Sequence, residues 1–202
     1  MVTVAASAPA KTISYMDELI RIAVGEANAH RSLTAWADVT TDPELACTLR
    51  LVAAREANHA QVFKQLVAEL GGEVCCTPDR AAYARLAVAA NPALSDADKI
   101  VPLGDNDDPF ASIKRRLAEG VYDACTANHM SWWIAEECDS LARLRAAYAA
   151  VLAKAKGDKT EACTNGCAAG EPSPDAQAIM ACMTEGFGRL EKSIEKLARG
   201  AK

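Results

Sequence analysis

The chain has 202 residues and a formal net charge of −5, a length that suits one well-buried domain and is tight for two. Half of the residues are hydrophobic, many of them alanine, and only 5% are aromatic, which favours helices because strands need β-branched and aromatic side chains. The composition therefore predicts an all-α protein. Without a basic stripe or a polybasic segment, we expect neither nucleic acid nor a membrane as its partner.

The N-terminal residues 1–11 are rich in alanine but lack the charged and apolar regions of a signal peptide. We expect this segment to be flexible, and we expect no membrane span, because no apolar run is long enough. These features predict a cytoplasmic protein, in which most of the eight cysteines are reduced thiols. Four cysteines fall in helical stretches, where cysteine usually acts as a small buried hydrophobe: Cys47, Cys125, Cys138 and Cys182.

Two long helices joined by a short turn are predicted in the first third of the chain. Residues 12–40 carry apolar side chains at helical spacing, and Pro43 then stands in the first turn of the next helix, where its missing N–H group costs nothing. Gly71 and Gly72 end that helix. Its apolar stripe consists of Leu45, Leu49, Val52, Phe63, Leu66 and Leu70. A short connection between two long helices makes them an antiparallel hairpin.

The remaining predicted elements complete a bundle. In chain order they are a long connection over residues 71–108 with a short helix at 80–90, a helical pattern over 110–156, a cysteine-containing loop over 157–174 and an amphipathic helix over 175–199. This order is the layout of a four-helix bundle with one long crossover connection, the class that includes ferritin-like folds. We therefore expect residues 12–202 to form a single ferritin-like helical bundle.

Glu56 and His59 interrupt the stripe of the second helix where the pattern requires apolar residues. Both side chains should therefore face the bundle interior, where a carboxylate is usually paired or bound to a metal because an unpaired one is costly. Glu26 falls on the stripe of the first helix, about as far before the turn as Glu56 lies after it, so the hairpin should bring the two to the same height. His30, one turn beyond Glu26, borders the same face. The alternative interpretation is a buried, hydrogen-bonded cluster that fixes the register of the helices.

The segment from Leu51 to Phe63, Leu-Val-Ala-Ala-Arg-Glu-Ala-Asn-His-Ala-Gln-Val-Phe, resembles the second helix of ferritin-like proteins, including relatives of rubrerythrin. Together with Glu26, the resemblance covers about the first 70 residues. It implies an up-down bundle with a non-haem dinuclear iron or manganese site. It also implies oxidase, oxygenase or peroxidase chemistry with dioxygen or peroxide and a small-molecule substrate. Such bundles use a Glu-x-x-His pair on each of two helices and one Glu on each of the others, which makes Glu56, His59 and Glu26 expected ligands.

The second half of the chain departs from the ferritin-like pattern and can be aligned in two ways. In the first alignment, a continuous helix over 110–156 is the third bundle helix and contributes Glu137. The last helix is then the fourth and offers Glu185, slightly off its stripe, with Gly188 where a histidine should be.

In the second alignment the chain breaks at Gly120, and the helix that carries Glu137 is the fourth, with Ser140 in place of the histidine. We favour the first alignment, because a third helix ending at Glu119 would be too short to match its partners. Both alignments place Glu137 on an apolar stripe, pointing inward. Both also break the second Glu-x-x-His pair, and Glu136 is the neighbour that could take the role of the missing histidine.

Other histidine and cysteine side chains are weaker candidates. His129 lies two turns before the paired glutamates and could replace the missing histidine only if the helix bends, so an ordinary satisfied histidine is the simpler interpretation. Four loop thiolates could bind zinc, although adjacent ligands strain a tetrahedral site: Cys75, Cys76, Cys163 and Cys167.

The sequence therefore predicts a ferritin-like metal-binding protein, a non-haem iron or manganese redox enzyme with an atypical and partly degenerate site. The predicted metal ligands are Glu26, Glu56, His59 and Glu137, with His30, Glu136 and Glu185 as further candidates. The alternative is a bundle that has lost catalysis and serves as a metal-binding, regulatory or scaffold protein. A homodimer formed through a helix face is compatible with either hypothesis.

Overall fold

The computed structural model describes residues 14–75, 80–101, 103 and 108–163, with side chains up to residue 157. Within these ranges all regular structure is helical, so the all-α prediction is confirmed for this part of the chain. The helices are α1 (Met16–Val39), α2 (Pro43–Glu69), α3 (Arg80–Ala89), α4 (Asp96–Lys99), α5 (Ala111–Ala118) and α6 (Ala124–Cys163). In the described part of the chain, no helix is both long and apolar enough to cross a membrane.

Three long helices, α1, α2 and α6, form the centre of the described part, and three short helices flank them. The short helix α3 packs on α1, while α4 and α5 pack on α6. The helix predicted over 175–199 lies outside the described residues, and so does the loop from residue 164 onward. The specific four-helix arrangement therefore stays a prediction.

The α1–α2 hairpin forms as its capping residues predict. The side-chain Oδ1 of Asp42 accepts hydrogen bonds from the backbone N–H groups of Glu44 and Leu45 at 3.0 and 3.1 Å, which satisfies two donors of the first turn of α2. Pro43 occupies the first helical position. Gly71 then follows the helix with a φ of +83°, a left-handed conformation that glycine adopts without the steric penalty of a Cβ atom.

Helix α6 runs antiparallel to α2. The ammonium group of Lys154, late in α6, lies 2.7 Å from the carboxylate of Asp42 at the start of α2. Further along α2, Arg55 donates a hydrogen bond of 2.6 Å to Asp139, which lies earlier in α6. The two long helices therefore cross the molecule side by side, with α1 completing the group.

The core of the three long helices consists of two separate apolar clusters. The first includes Leu19, Phe63, Met130 and Trp133, and the second includes Trp36, Leu49, Leu144 and Val151. On each helix the residues of the two clusters are separated in sequence by the glutamates and histidine that the stripes predicted to face inward. A polar layer therefore lies between two apolar halves of the core.

The favoured prediction of one continuous helix over residues 110–156 is wrong, and the break at Gly120 that the second alignment predicts is confirmed. The chain breaks at Gly120, which has a φ of +67°, and α6 begins four residues later, at Ala124. Asp123 makes the new start favourable, because its Oδ1 accepts from the backbone N–H groups of Cys125 and Thr126 at 2.9 and 3.1 Å. The start predicted for the next loop, at Gly157, is also wrong, since α6 continues to Cys163. One glycine inside a helix costs only about 1 kcal/mol.

The three helical cysteines whose side chains the structure describes do not occupy the core. Cys47, Cys125 and Cys138 are exposed free thiols, as is Cys75, so the expected burial of the three helical cysteines is wrong. The apolar stripes already fill the core with larger side chains, and the cysteines lie on the solvent side of their helices. Cys76, Cys167 and Cys182, and the side chain of Cys163, lie outside the described residues.

Candidate metal centre

Four potential metal ligands converge in the polar layer. Glu26 comes from α1, Glu56 and His59 come from α2, and Glu137 comes from α6; each offers one ligand atom, and these atoms all lie within 4.8 Å of one another. Glu26 and Glu56 are only 7% and 5% exposed, and His59 is fully buried. The side chain of Glu137 is 14% exposed. The structure thus brings together the four residues that the sequence singled out first.

The local sequence explains why these side chains meet. Glu56 and His59 are three residues apart on α2, so their side chains project from the same face. The hairpin places Glu26 opposite them, at the predicted height. On α6, Glu137 lies three residues after the buried Ile134 and three before the buried Ser140, so the inward face of that helix includes it.

His59 is held by carboxylates on both sides of its ring. Its Nε2 lies 2.8 Å from Glu136 Oε2, and its Nδ1 lies 3.3 Å from Glu26 Oε2 and 3.1 Å from Glu137 Oε1. With Nε2–H donating to Glu136, Nδ1 is directed at the converging oxygens, and the proton on Nδ1 is the one that a cation would replace. A carboxylate that fixes the tautomer and orientation of a histidine in this way is the usual outer partner of a metal-bound imidazole.

The two buried carboxylates beside Nδ1 differ in their hydrogen bonding. Trp133 donates its indole N–H to Oε1 of Glu26 at 3.1 Å, which leaves Oε2 facing the centre. Glu137 Oε1 is buried and makes no hydrogen bond with any described residue; its approach to His59 is a charge contact only. A buried carboxylate oxygen without a donor is costly. A cation bound between these oxygens and the imidazole would satisfy it, so the residues present fit a metal.

The electrostatics of the cluster favour added positive charge. Burial and the adjacent Glu26 raise the pKa of Glu56 to about 11. Burial also raises the pKa of Glu137, although the nearby His59 acts in the opposite direction. For His59, burial alone would lower the pKa, but the three surrounding carboxylates outweigh it and raise the pKa to about 10. At neutral pH the cluster therefore retains protons that a cation can replace.

Arg55 adds a fixed positive charge at the edge of the cluster. One guanidinium nitrogen, Nη1, donates to Asp139 at 2.6 Å and to the hydroxyl of Ser140 at 3.2 Å. Ser140 is only 1% exposed, so this second bond lies inside the molecule. The sequence pattern did not predict this role, because Arg55 reads as an ordinary polar residue beside Glu56.

The weaker candidates lie elsewhere or have another partner. His30 directs its Nδ1 at the backbone carbonyl of Ala53, 2.9 Å away, rather than at the cluster. His129 bonds the carbonyl of Cys125 in its own helix at 2.9 Å, as expected for an ordinary histidine. Glu185 lies outside the described residues.

The chain matches no protein-family model. It has no match among curated proteins and none among solved structures.

Proposed function

We propose that this protein binds a divalent iron or manganese cation through Glu26, Glu56, His59 and Glu137. The observation that carries the proposal is the convergence of three carboxylates and one imidazole within 4.8 Å in a buried layer. Oxygen-rich sites with imidazole suit iron and manganese. Retaining so many buried carboxylates without a cation would be costly for the fold.

The function we favour for this centre is that of a non-haem redox enzyme acting with dioxygen or peroxide on a small-molecule substrate. When bound, the metal would supply one-electron chemistry. The chain's own residues would hold it: Glu26 stays oriented by Trp133, His59 stays oriented by Glu136, and the apolar clusters on either side exclude water. The resemblance of α2 to ferritin-like helices supports this reaction class.

A second candidate is a bundle without catalysis, in which the cluster serves metal storage, regulation or only helix register. The observation that favours it is Ser140 bonded to Arg55, at the position where a second Glu-x-x-His pair would carry its histidine. This site has one imidazole and a guanidinium group at its edge. It therefore offers fewer coordinating groups to a reactive cation than a site with a Glu-x-x-His pair on each of two helices.

Metal analysis of the full chain, purified without chelators, tests the binding proposal. Bound iron or manganese should be lost in His59→Ala and kept in the matched variant His129→Ala, whose histidine bonds its own helix. Consumption of dioxygen or peroxide by the iron-loaded protein then separates the two candidates. A protein without bound metal would contradict both metal-dependent functions and leave the register-fixing cluster.

A further inference from the structure

The polar layer is asymmetric, and its two sides carry different positive groups. On α2, Glu56 is followed three residues later by His59; on α6, Glu137 is followed three residues later by Ser140. The same helical spacing places each second residue beside its glutamate. On the α6 side the residue is the buried Ser140, whose hydroxyl accepts a hydrogen bond from Arg55, so a guanidinium group lies beside the position where the ferritin-like pattern would place a second imidazole.

We infer that the centre takes one divalent cation per chain, and that Arg55 supplies the positive charge on the side where a ferritin-like site would hold a second cation. This inference rests on the proposed function. It departs from the dinuclear site that the resemblance implies.

The size of the ligand cluster supports a single cation. Ligand atoms around one such ion lie about 2.0–2.2 Å from it, so opposite ligands are about 4.0–4.4 Å apart. The four ligand atoms all lie within 4.8 Å of one another, which is close to that diameter. Two cations about 3.5–4 Å apart would need more ligand atoms than these four.

The balance of buried charge points the same way. Glu26, Glu56 and Glu137 carry three negative charges when ionised, and Arg55 contributes one positive charge. One divalent cation makes this group neutral, whereas a second would leave two uncompensated positive charges. Uncompensated buried charge is strongly unfavourable. Two further carboxylates belong to the solvent side of the network. Asp139, which also bonds Arg55, has a 45% exposed side chain and already pairs with Arg143. Glu136 has a 34% exposed side chain and lies on the far side of His59.

Titration of the metal-free full chain with Mn²⁺ tests the stoichiometry. Retained manganese is counted after desalting, and the electron paramagnetic resonance spectrum reports whether the ions are isolated. We expect one ion per chain with the spectrum of an isolated Mn²⁺. Two ions with a spin-coupled spectrum would overturn the inference while leaving the proposed function intact, and no retained ion would overturn the proposed function itself.

Arg55→Gln tests the role of the guanidinium group, with Arg143→Gln as the matched control. Both arginines pair with Asp139, but only Arg55 reaches Ser140. Removing a positive charge beside the carboxylates should tighten Mn²⁺ binding by about tenfold, and the control should leave it unchanged. Unchanged or weaker binding in Arg55→Gln would show that Arg55 does not act as the second positive charge. The stoichiometry of the unmodified chain remains a test even if that variant fails to fold.

Discussion

Replacing Glu56 with glutamine tests whether Glu56 is a metal ligand or only a structural hydrogen-bonding group. In the metal-free protein Glu56 is protonated at neutral pH, since burial and Glu26 raise its pKa to about 11. The amide of Glu56→Gln has nearly the same shape and can still donate a hydrogen bond to Glu26. We therefore expect the free energy of unfolding without metal to change by no more than about 1 kcal/mol.

With metal present, the same substitution should lower the free energy of unfolding much more. Loss of an outer partner of a metal ligand weakens binding by about 10–100-fold, and loss of the ligand Glu56 itself should reach the upper end. At a free metal concentration 100 times the dissociation constant, binding stabilises the folded state by about 2.7 kcal/mol. A variant that binds the metal 100-fold more weakly retains only about 0.4 kcal/mol of this stabilisation. The loss of about 2.3 kcal/mol corresponds to a fall in Tm of about 5–9 °C for a chain of this size.

Thermal melts with and without Mn²⁺ measure both quantities. Glu69→Gln is the matched control, because Glu69 lies on the same helix but is exposed and accepts only from the nearby Gln65; its melts should match those of the unmodified chain in both conditions. If Glu56→Gln instead lowered Tm equally with and without metal, the cluster would be a register-fixing hydrogen-bond network and the metal-site reasoning would be refuted.

Three further predictions concern pH, the loop cysteines and the helix break. Because Glu56 and His59 hold protons with pKa values of about 11 and about 10, apparent Mn²⁺ affinity should rise by up to about 100-fold per pH unit between about pH 7 and 9. The metal-free folded protein binds these two protons more tightly than the unfolded chain does, so its free energy of unfolding should fall as pH rises over that range. An Mn²⁺ affinity that does not change with pH in calorimetric titrations would contradict the first expectation, and a free energy of unfolding that does not change with pH in urea titrations would contradict the second. Changing Cys163 and Cys167 to serine should leave the metal content unchanged. A large loss of metal in elemental analysis would show that these cysteines, and not the polar layer, bind it. Gly120→Ala should lower the free energy of unfolding by about 1–2 kcal/mol in urea titrations, because the space beside Gly120 is open but its φ of +67° is strained for alanine; no loss would show that the break tolerates a side chain.

The first two helices and their inward-facing residues could be predicted because local rules agreed there. Pro43, the two glycines after α2 and the apolar stripe all set the same boundaries, and Glu56 and His59 were visible as interruptions of a regular pattern. The α6 region was harder, because the apolar spacing on either side of Gly120 permits a continuous helix. The helix breaks because Asp123 caps the start of α6 and Gly120 adopts a left-handed φ. Neither feature can be read from the spacing of apolar residues.

The contacts between helices could not be predicted from one sequence. Arg55 has no distinguishing pattern of its own, and its bond to Ser140 depends on how α2 and α6 lie side by side. Glu136 and Glu137 are neighbours with similar chemistry. The sequence placed Glu137 on the inward stripe and offered Glu136 as a substitute for the missing histidine, but of the two only Glu137 is among the four converging ligands. The rotation of α6 about its axis directs Glu136 at Nε2 of His59, the ring nitrogen that faces away from the three carboxylate ligands.

The polar layer between the two apolar clusters also has a consequence for how the molecule opens. No residue belongs to both clusters in the described part of the chain, so each half of the core is a separate unit of apolar contact. In the metal-free state the desolvated polar groups of the layer stabilise the region between the clusters less than apolar packing would, and the backbone amides beside the layer are the natural site of local opening. A cation bound to ligands from three helices would join the two halves into one cooperative unit and slow hydrogen exchange at both ends together.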